Sequence, residues 1–436
     1  MADWKTYFDE RTISIEEAAK KIESGDVIWP GQTTSVPYSL VEAITDRYEE
    51  FENVTLLSNM FLAPLQILFD PCYKKSIKLI TVFPNILERT SAELGIIDFL
   101  PINYSYFSRA MKEVFKVNTT FFEVTPPDAD GYVNVGALGV GWNSEVVEYA
   151  TKKIAVINAQ HKPIKGPDDA VKIHVSKFDW FCIDEHELPA IPPTDPDEVD
   201  VLIAKHIHGV INDGDTFQVG MGGLPNAILA SLKDKKDLKV FTEILTDGMV
   251  DLAEAGIVTK MEAIGAFGMP KLYDFFSNPM VSFDKAERMI NPWNIAEHEN
   301  LISVNATFMV DLTGQMASEA IGPRQYASTG GQLDFVRGAT LSKGGKSYIC
   351  LRSARKDSEG KIHSNIVAQM PKGTIITTSR QEAMYIVTEY GIADIFRRPI
   401  KDRIKALIAI AHPDCREELK AQAIAQGNIF EDDFDL

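Results

Sequence analysis

The chain has 436 residues, enough for two or three domains, and its net charge of −18 argues against nucleic acid, whose binding needs a basic surface. Its hydrophobic fraction of 45% is ordinary for a globular protein, and no apolar run reaches the ~18 residues of a membrane-spanning helix. The N-terminus is charged and amphipathic, unlike a signal peptide, and the four cysteines lack metal-ligand spacing. We therefore expect a cytoplasmic protein with reduced thiols, no metal site and no membrane partner.

The first predicted strand and the loop after it recur in the second half of the chain. The segment KIESGDVIWPGQTTSVPYSLVEAI begins at Lys21, and the similar segment GVINDGDTFQVGMGGLPNAILASL begins at Gly209. Both run from a helix end through a Gly-Asp turn into an apolar strand, a loop of small residues, a proline and a helix. An ordered repeat of this kind indicates two related structural units.

Two later blocks keep nearly the same offset, roughly 185 residues. The predicted strand NVTLLSNM, from Asn53, matches LKVFTEIL, from Leu238, and NTTFFEVTPPDADGYVN, from Asn118, resembles NATFMVDLTGQMA, from Asn305. Helices alternate with short β-branched strands throughout both halves. The sequence therefore predicts two homologous open α/β halves, with mainly parallel sheets and helices on both faces.

The predicted linker between the halves is HELPAIPPTDPDEVD, from His186 to Asp200, which contains four prolines and little apolar surface. We accordingly expect an N-terminal domain at residues 1–190, on the side of the acid substrate, and a C-terminal domain at residues 191–436.

A glycine-rich turn follows the first strand of the second half. Gly220, Gly222, Gly223 and Pro225 lie between the predicted strand and helix of TFQVGMGGLPNAILASL. Glycines there allow close backbone approach, and the exposed amides at a helix N-terminus favour a phosphate or a developing oxyanion. The dinucleotide fingerprint needs glycine at Pro225, and the segment TLSKGGKS lacks the first glycine of a P-loop. Both nucleotide motifs therefore fail.

Glu243 is a carboxylate at the end of the next predicted strand, where parallel sheets place their ligands. In the first half the equivalent position is predicted to be Leu57 or Ser58. A solvated strand-end residue or a helix cap is the simpler interpretation. The difference between the two halves favours a functional carboxylate. A third segment, STGGQLDFVRGATLSKGGKS, is predicted to be a binding loop around Gly331, with no ligand assigned from spacing alone.

Several ordered segments resemble one known family, the acetyl-CoA hydrolase/transferase family of family I CoA-transferases, which includes 4-hydroxybutyrate CoA-transferase and butyryl-CoA:acetate CoA-transferase. The second half contributes VGMGGLPNAI, the Thr242-Glu243 pair, GQLDFVRGA, LSKGGKS, VTEYGIA and IAHPDCREEL. The first half contributes RTISIEEAAKKIESGD and TPPDADGYVNVG. The resemblance implies that Glu243 attacks an acyl-CoA thioester and becomes a glutamyl-CoA thioester during ping-pong catalysis.

The resemblance also implies roles for further residues. Asn305 matches an oxyanion or carboxylate contact, and Gln32 is the expected polar contact of the acid substrate. A lysine contact falls on Lys356, with Ser358 as the alternative because the loop between them shifts the alignment. The implied coenzyme A contacts are Gln218, Val219, Gly220, Met221, Gly222, Phe308, Gly331 and Lys356.

The expected reaction moves CoA between a short-chain acyl-CoA and a free acid, namely 4-hydroxybutyrate or butyrate with acetyl-CoA or acetate. No cofactor is expected to stay bound, because coenzyme A arrives as acyl-CoA substrate, and a homodimer is the expected assembly. One alternative is a short-chain acyl-CoA hydrolase, in which the same glutamate passes its acyl group to water. A second is a phosphometabolite isomerase or sensor on a similar fold, which would never acylate Glu243.

Overall fold

The computed structural model describes residues 3–434, except for the side chains of residues 137–139. By its internal contacts the chain divides into two compact units. The first unit comprises Met1–Pro192, Glu243–Asp247 and Met261–Ile290, and the second comprises Pro193–Thr242, Gly248–Lys260 and Asn291–Leu436. The predicted boundary at residue 190 divides the chain at a single point of the sequence. The division by internal contacts differs from it, because it assigns Glu243 to the first unit. No helix within residues 3–434 combines the length and apolarity needed to cross a membrane.

The α-helices are short and distributed along the whole chain. In order they are α1 Trp4–Arg11, α2 Ile15–Ala19, α3 Tyr38–Thr45, α4 Ile86–Glu93, α5 Tyr104–Arg109, α6 Gly136–Val147, α7 Asp168–Val171, α8 Glu198–His208, α9 Gly223–Ser231, α10 Asp247–Glu254, α11 Pro270–Phe275, α12 Ala286–Met289, α13 Pro292–Ile295, α14 Gln332–Leu341, α15 Ile400–Ala409 and α16 Arg416–Ala425.

The strands alternate with these helices. In order they are β1 Val27–Trp29, β2 Val54–Ser58, β3 Ile77–Thr81, β4 Ile97–Phe99, β5 Thr119–Val124, β6 Tyr132–Asn134, β7 Lys152–Ile157, β8 Lys172–His174, β9 Trp180–Ile183, β10 Thr216–Val219, β11 Leu238–Leu245, β12 Val258–Ala266, β13 Val281–Phe283, β14 Leu301–Ala306, β15 Met309–Asp311, β16 Met316–Ala317, β17 Ala320–Ile321, β18 Arg324–Gln325, β19 Lys346–Cys350, β20 Ala354–Lys356, β21 Ile362–Ser364, β22 Ile366–Val367, β23 Tyr385–Thr388 and β24 Gly391–Asp394.

Two large sheets share one strand order. The first sheet runs β4-β3-β2-β1-β5-β7-β9, and all its pairs are parallel. The second runs β13-β12-β11-β10-β14-β19-β23-β24, in which β24 adds an antiparallel edge. Position by position, the first seven strands of the second sheet repeat the order of the first. The predicted fold class, two homologous α/β halves with mainly parallel sheets, is confirmed.

Burial explains why these segments form parallel strands. All six residues of β5 are buried, including two phenylalanines, Phe121 and Phe122. A strand that is covered on both faces reads as a continuous apolar or β-branched run, which is the usual pattern of parallel sheets flanked by helices. Helix ends follow local rules as well: Ser14 and Glu17 form a capping box at α2, and Asp197 with Asp200 does the same at α8.

Strand pairing fixes the register of the repeat. In the first sheet Val27 of β1 lies opposite Thr55 of β2, and in the second Thr216 of β10 lies opposite Lys239 of β11. Val27 and Thr216 each follow a Gly-Asp turn by one residue. Thr55 is therefore the structural equivalent of Lys239.

Asn59 comes four residues after Thr55, and Glu243 comes four residues after Lys239, so Asn59 is the structural equivalent of Glu243 in the repeat. The prediction that Leu57 or Ser58 corresponds to Glu243 was wrong. Neighbouring apolar residues align almost equally well after a shift of one residue, whereas backbone pairing permits a single register. The repeat thus has a neutral asparagine directly after β2 where the second half has a glutamate, and Glu243 lies inside β11 rather than at its end as predicted.

A buried carboxylate anchors the start of the predicted linker in the first unit. Glu123, at the end of β5, is fully buried, with one oxygen 2.8 Å from His161 Nε2 and the other 2.8 Å from His186 Nε2. Asn158 Nδ2 also donates to it, at 3.1 Å. Burial favours the neutral acid, yet the hydrogen bonds from both histidines outweigh it and lower the pKa of Glu123. Within residues 3–434 no group of His, Cys, Asp and Glu side chains is arranged to hold a metal ion.

We expect this contact to make the free energy of unfolding fall as pH rises from 6.5 to about 9. The hydrogen bond to Glu123 raises the pKa of His186 from 6.5 to about 9, so the folded protein keeps a proton that the unfolded chain loses. The stabilisation is complete below pH 6.5 and disappears above about 9. Urea unfolding at several pH values measures it. His186→Gln should flatten the slope, whereas His174→Gln, whose ring contacts Ser176 and Tyr132, should not. Equal slopes in all three proteins would contradict this account.

Candidate active site

The glycine turn after β10 exposes its backbone, as its sequence predicts. β10 ends at Val219 and α9 begins at Gly223, so Gly220, Met221 and Gly222 form the turn. Gly222 has a φ of 120°, which residues with a Cβ rarely adopt. A Cβ at Gly220 or Gly222 would meet no atom within 4 Å, so none of the described residues covers that side of the turn. Met221 is 45% exposed. A ligand can therefore approach the backbone amides that precede α9.

Gln218 and Asn305 belong to one hydrogen-bond network in the second unit. Ser303 Oγ donates to Gln218 Oε1 at 2.8 Å, and Asn305 Nδ2 donates to Ser303 Oγ at 3.0 Å and to Gln218 Oε1 at 3.3 Å. Gln218 is 2% exposed, whereas Asn305 is only partly buried. The buried pair therefore orients the amide of Asn305 at the end of β14.

Ser303 was missed by the sequence analysis. It lies opposite Gln218 in the register of β10 and β14, two residues before Asn305. Residues i and i+2 of a strand share a face, so the pattern Ser-x-Asn on a strand beside a buried glutamine could have revealed it.

A cavity of about 380 Å³ lies in the second unit and includes Phe308 in its wall. Its volume is in the range of small-molecule sites. Leu224, two residues after Gly222, lines the same cavity, so the glycine turn and Phe308 approach one space. Phe308 also meets the ring of Tyr326 edge-on at 5.4 Å. Other apolar lining residues are Ile203, Met309, Cys350 and Leu351.

The basic residues at this cavity differ from the predicted one. Lys356 is exposed on β20, where it pairs with Ile362, and it is absent from the described lining of the cavity. Arg355, the residue before it, lines this cavity and also a second one of about 610 Å³. Lys361 lines the second cavity. The hairpin of β20 and β21 therefore directs Arg355 and Lys361 toward these spaces.

Gly331 precedes α14 as its N-cap residue, with a φ of −95° that any residue adopts. Its neighbour Gly330 has a φ of 57°, so the conformational need for glycine lies at Gly330. The structure thus keeps Gly331 at a helix N-terminus, where amides are available.

Glu243 directly follows Thr242, whose side chain links β11 to β10. Thr242 Oγ1 donates to the carbonyl of Val219 at 3.0 Å, and Val219 is the last residue before the glycine turn. Glu243 itself belongs to the first unit and is partly buried.

Tyr104, in the first unit, is electrostatically linked to Glu243. Burial raises the pKa of Tyr104 well above its usual value, and the charge of Glu243 raises it further. Its hydroxyl donates to Asn59 Oδ1 at 3.1 Å, so the repeat equivalent of Glu243 is hydrogen-bonded to a neighbour of Glu243.

Gln32, the predicted acid contact, lies beside these residues. It is 4% exposed and precedes the 3₁₀ turn Thr33–Ser35, whose first amide donates to the carbonyl of Asn59 at 3.3 Å. A Cβ at Gly141 would lie 2.5 Å from Gln32 Nε2, so only glycine there leaves room for the amide. The first unit therefore groups Glu243, Tyr104, Asn59 and Gln32.

Comparison with known proteins identifies the family of the chain. Residues 2–193 match the family model for the acetyl-CoA hydrolase/transferase N-terminal domain, and residues 268–423 match the C-terminal domain model. The chain belongs to the acetyl-CoA hydrolase/transferase family. The resemblance seen in its motifs is thereby confirmed over most of its length.

Several curated relatives of this family cover nearly the whole chain. Succinyl-CoA:cyclohexane-1-carboxylate CoA transferase of Geobacter metallireducens is 34% identical, with 95% of each chain covered. 4-Hydroxybutyrate coenzyme A transferase of Clostridium kluyveri is 31% identical, over 96% of this chain and 98% of the relative. Butyryl-CoA:acetate CoA-transferase of Anaerostipes caccae is 33% identical, over 95% and 96%.

The fold comparison gives the same family. The crystal structure of RipA from Yersinia pestis has a TM-score of 0.90 and 29% identity, covering 98% of this chain and 100% of that one.

Acetyl-CoA hydrolase of Schizosaccharomyces pombe is more distant in sequence, at 25% identity over 73% of this chain and 68% of the relative. The predicted enzyme class, a CoA-transferase, is confirmed and favoured over a hydrolase.

Proposed function

We propose that this member of the acetyl-CoA hydrolase/transferase family moves CoA between a short-chain acyl-CoA and a free carboxylate through a glutamyl-CoA thioester on Glu243. One observation carries the proposal. At two equivalent positions of a duplicated sheet, Asn59 directly after β2 and Glu243 inside β11, only the second has a carboxylate. Glu243 also directly follows Thr242, which bonds Val219 before the glycine turn. A fold requirement would apply to both positions, so the difference supports a chemical role for Glu243.

The chemistry proceeds by exchange at carbonyl carbons. A carboxylate oxygen of Glu243 attacks the thioester carbon, the C–S bond breaks, and an acyl-glutamyl anhydride and CoA thiolate form. The thiolate then attacks the glutamyl carbonyl, the anhydride C–O bond breaks, and the first acid leaves as a carboxylate. A second acid reverses these steps and departs as the new acyl-CoA. Covalent catalysis divides the transfer into easier steps, and the thioester energy is retained without ATP.

Each step passes through a tetrahedral oxyanion that needs hydrogen-bond donors. Asn305 has a side-chain amide whose orientation is held by Ser303 and Gln218, and one of its two N–H groups would exchange its 3.3 Å bond to Gln218 for the oxyanion. The uncovered amides at Gly220 and Gly222 suit the same task or the acyl-CoA carbonyl.

Coenzyme A fits as a substrate rather than as a resident cofactor. Its pantetheine arm is long and narrow, with apolar segments between two amides, which suits the cavity beside Phe308 and Leu224. Arg355 and Lys361, near the second cavity, are placed to meet phosphate charge, and we assign them this role beside the predicted Lys356. The binding energy of the CoA moiety, which lies far from the reacting carbon, can then lower the barrier to reaction at that carbon.

For the acid, we propose 4-hydroxybutyrate or butyrate, with acetyl-CoA or acetate as the other partner. Relatives whose names contain these acids support this choice. Such an exchange suits fermentative metabolism in the cytoplasm, because it conserves a thioester. A symmetric homodimer is the proposed assembly, as the commonest closed arrangement.

Transfer and hydrolysis can be separated by one assay. With acetyl-CoA and butyrate, we expect butyryl-CoA to form without ATP, while free thiol stays near background. A control without the acid should show little loss of acetyl-CoA. Thiol release at the same rate with and without the acid would instead identify a hydrolase. No consumption of any short acyl-CoA, together with binding of a phosphorylated metabolite, would favour the isomerase or sensor alternative.

A further inference from the structure

Several buried side chains of the first unit have a polar atom without a hydrogen-bond partner among the described residues, and four of them belong to residues 32–34 and Trp142. These atoms are Gln32 Oε1, Thr33 Oγ1, Thr34 Oγ1 and Trp142 Nε1. Their side chains belong to residues that are at most 4% exposed. Buried polar groups are normally paired, and leaving them unpaired costs stability, so each of these atoms needs an explanation.

The four atoms belong to neighbouring residues. Gln32, Thr33 and Thr34 are consecutive, and the amide of Gln32 packs against Gly141, which directly precedes Trp142. Helix α6, which contains both Gly141 and Trp142, packs against the turn at residues 33–35. The four residues therefore lie in one region of the first unit, which we call the polar pocket and define by Gln32, Thr33, Thr34 and Trp142.

The polar pocket adjoins the surroundings of Glu243. The ring of Trp142 meets that of Tyr104 at 5.0 Å, edge to face. Tyr104 in turn donates to Asn59, and the charge of Glu243 acts on it within the same unit. An acid whose carboxylate is at Glu243 would thus extend its tail toward the polar pocket.

The chemistry of these atoms selects one kind of tail. Gln32 Oε1 only accepts a hydrogen bond, Trp142 Nε1 only donates one, and each threonine hydroxyl can do both. An alkyl tail satisfies none of them, and a second carboxylate cannot donate to Gln32. A hydroxyl group donates one bond and accepts others. We propose that the polar pocket binds a hydroxyl on the tail of the acid, so that the enzyme prefers hydroxylated short-chain acids to alkyl acids of equal size.

This inference rests on the proposed function and narrows its substrate class. It is tested with two acids of the same shape, 4-hydroxybutyrate and pentanoate, in which a methyl group replaces the hydroxyl. With acetyl-CoA as donor, we expect kcat/KM to be at least about tenfold higher for 4-hydroxybutyrate, since a site built for a hydroxyl rejects the analogue that lacks it.

Two variants examine the pocket itself. Gln32→Met removes the acceptor, and Thr34→Val removes a hydroxyl with little change of shape. Each should lower the preference for 4-hydroxybutyrate over pentanoate by about tenfold or more. The matched control is Gln160→Met, the same change at an exposed position of the first unit, which should keep the wild-type preference. Should Gln32→Met fail to fold, judged by its thermal unfolding, the Thr34→Val ratio decides the test.

The outcomes also separate the two claims. Efficient transfer to both acids without preference, or equal losses for both acids in the two variants, would overturn the polar pocket and leave the transferase intact. Absence of transfer to either acid, with no covalent adduct on Glu243, would overturn the proposed function and the pocket with it.

Discussion

Replacing Glu243 by alanine is expected to lower kcat for CoA transfer by at least about four orders of magnitude, the scale of removing a covalent nucleophile. Without this carboxylate neither the anhydride nor the enzyme-bound thioester can form. Glu243→Asp keeps the charge but shortens the side chain by one methylene, roughly 1 Å, and this misplacement should lower kcat about a hundredfold. The comparison of the two variants distinguishes a nucleophile from a residue that only supplies negative charge, because the latter would tolerate aspartate.

Chemical trapping makes this test direct. The protein is incubated with acetyl-CoA, treated with borohydride and digested, and the peptide containing Glu243 should carry the reduced side chain. The matched control is Glu254→Ala, an exposed glutamate of α10, which should keep full activity and the same adduct. Unchanged transfer in Glu243→Ala, or an adduct on a different peptide, would refute the mechanism.

Asn305→Ala is expected to lower kcat by about 10²–10³, the effect of removing one oxyanion donor, with a much smaller change in KM for acyl-CoA. The reason is that the amide interacts with charge that develops during the reaction rather than with the bound ground state. Steady-state kinetics with acetyl-CoA and butyrate measures both constants.

The matched control for this variant is Asn428→Ala, an exposed asparagine of the second unit, which should leave kcat unchanged. The variant Asn305→Ala leaves Ser303 Oγ bonded to Gln218, so the buried pair persists without it. A rise in KM with unchanged kcat would show that Asn305 binds substrate uniformly and does not stabilise an oxyanion.

The architecture was predictable because it depends on periodic patterns. Alternating helices and buried strands specify parallel sheets, and the repeat specifies that the halves resemble each other. The register was not predictable in detail: Leu57, Ser58 and Asn59 are adjacent, and only the pairing of β1 with β2 selects Asn59 as the equivalent of Glu243. An alignment by sequence similarity scores almost as well after a shift of one residue, whereas the hydrogen bonds between strands allow one register only.

The candidate site was predictable where one short segment determines it. The glycine turn follows from the end of β10, and Glu243 was singled out as a carboxylate in the next strand. Ser303, Tyr104 and Trp142 instead depend on contacts between distant segments, which no local pattern records. Lys356 shows why a residue on a hairpin is hard to assign from an alignment. Successive side chains of a strand face opposite ways, so a shift of one residue changes which side chain reaches a cavity.

The common strand order of the two sheets has an evolutionary consequence. An internal duplication gives two copies of the same strand end, and each copy is free to specialise once the other retains the original task. Here one copy has the acidic Glu243 and the other has an amide, Asn59, which accepts a hydrogen bond from Tyr104. Under the proposed mechanism, selection for new acids can alter residues 31–35 and Asn59 while the strand that contains Glu243 stays constant, so the range of acids can change without loss of the transfer reaction.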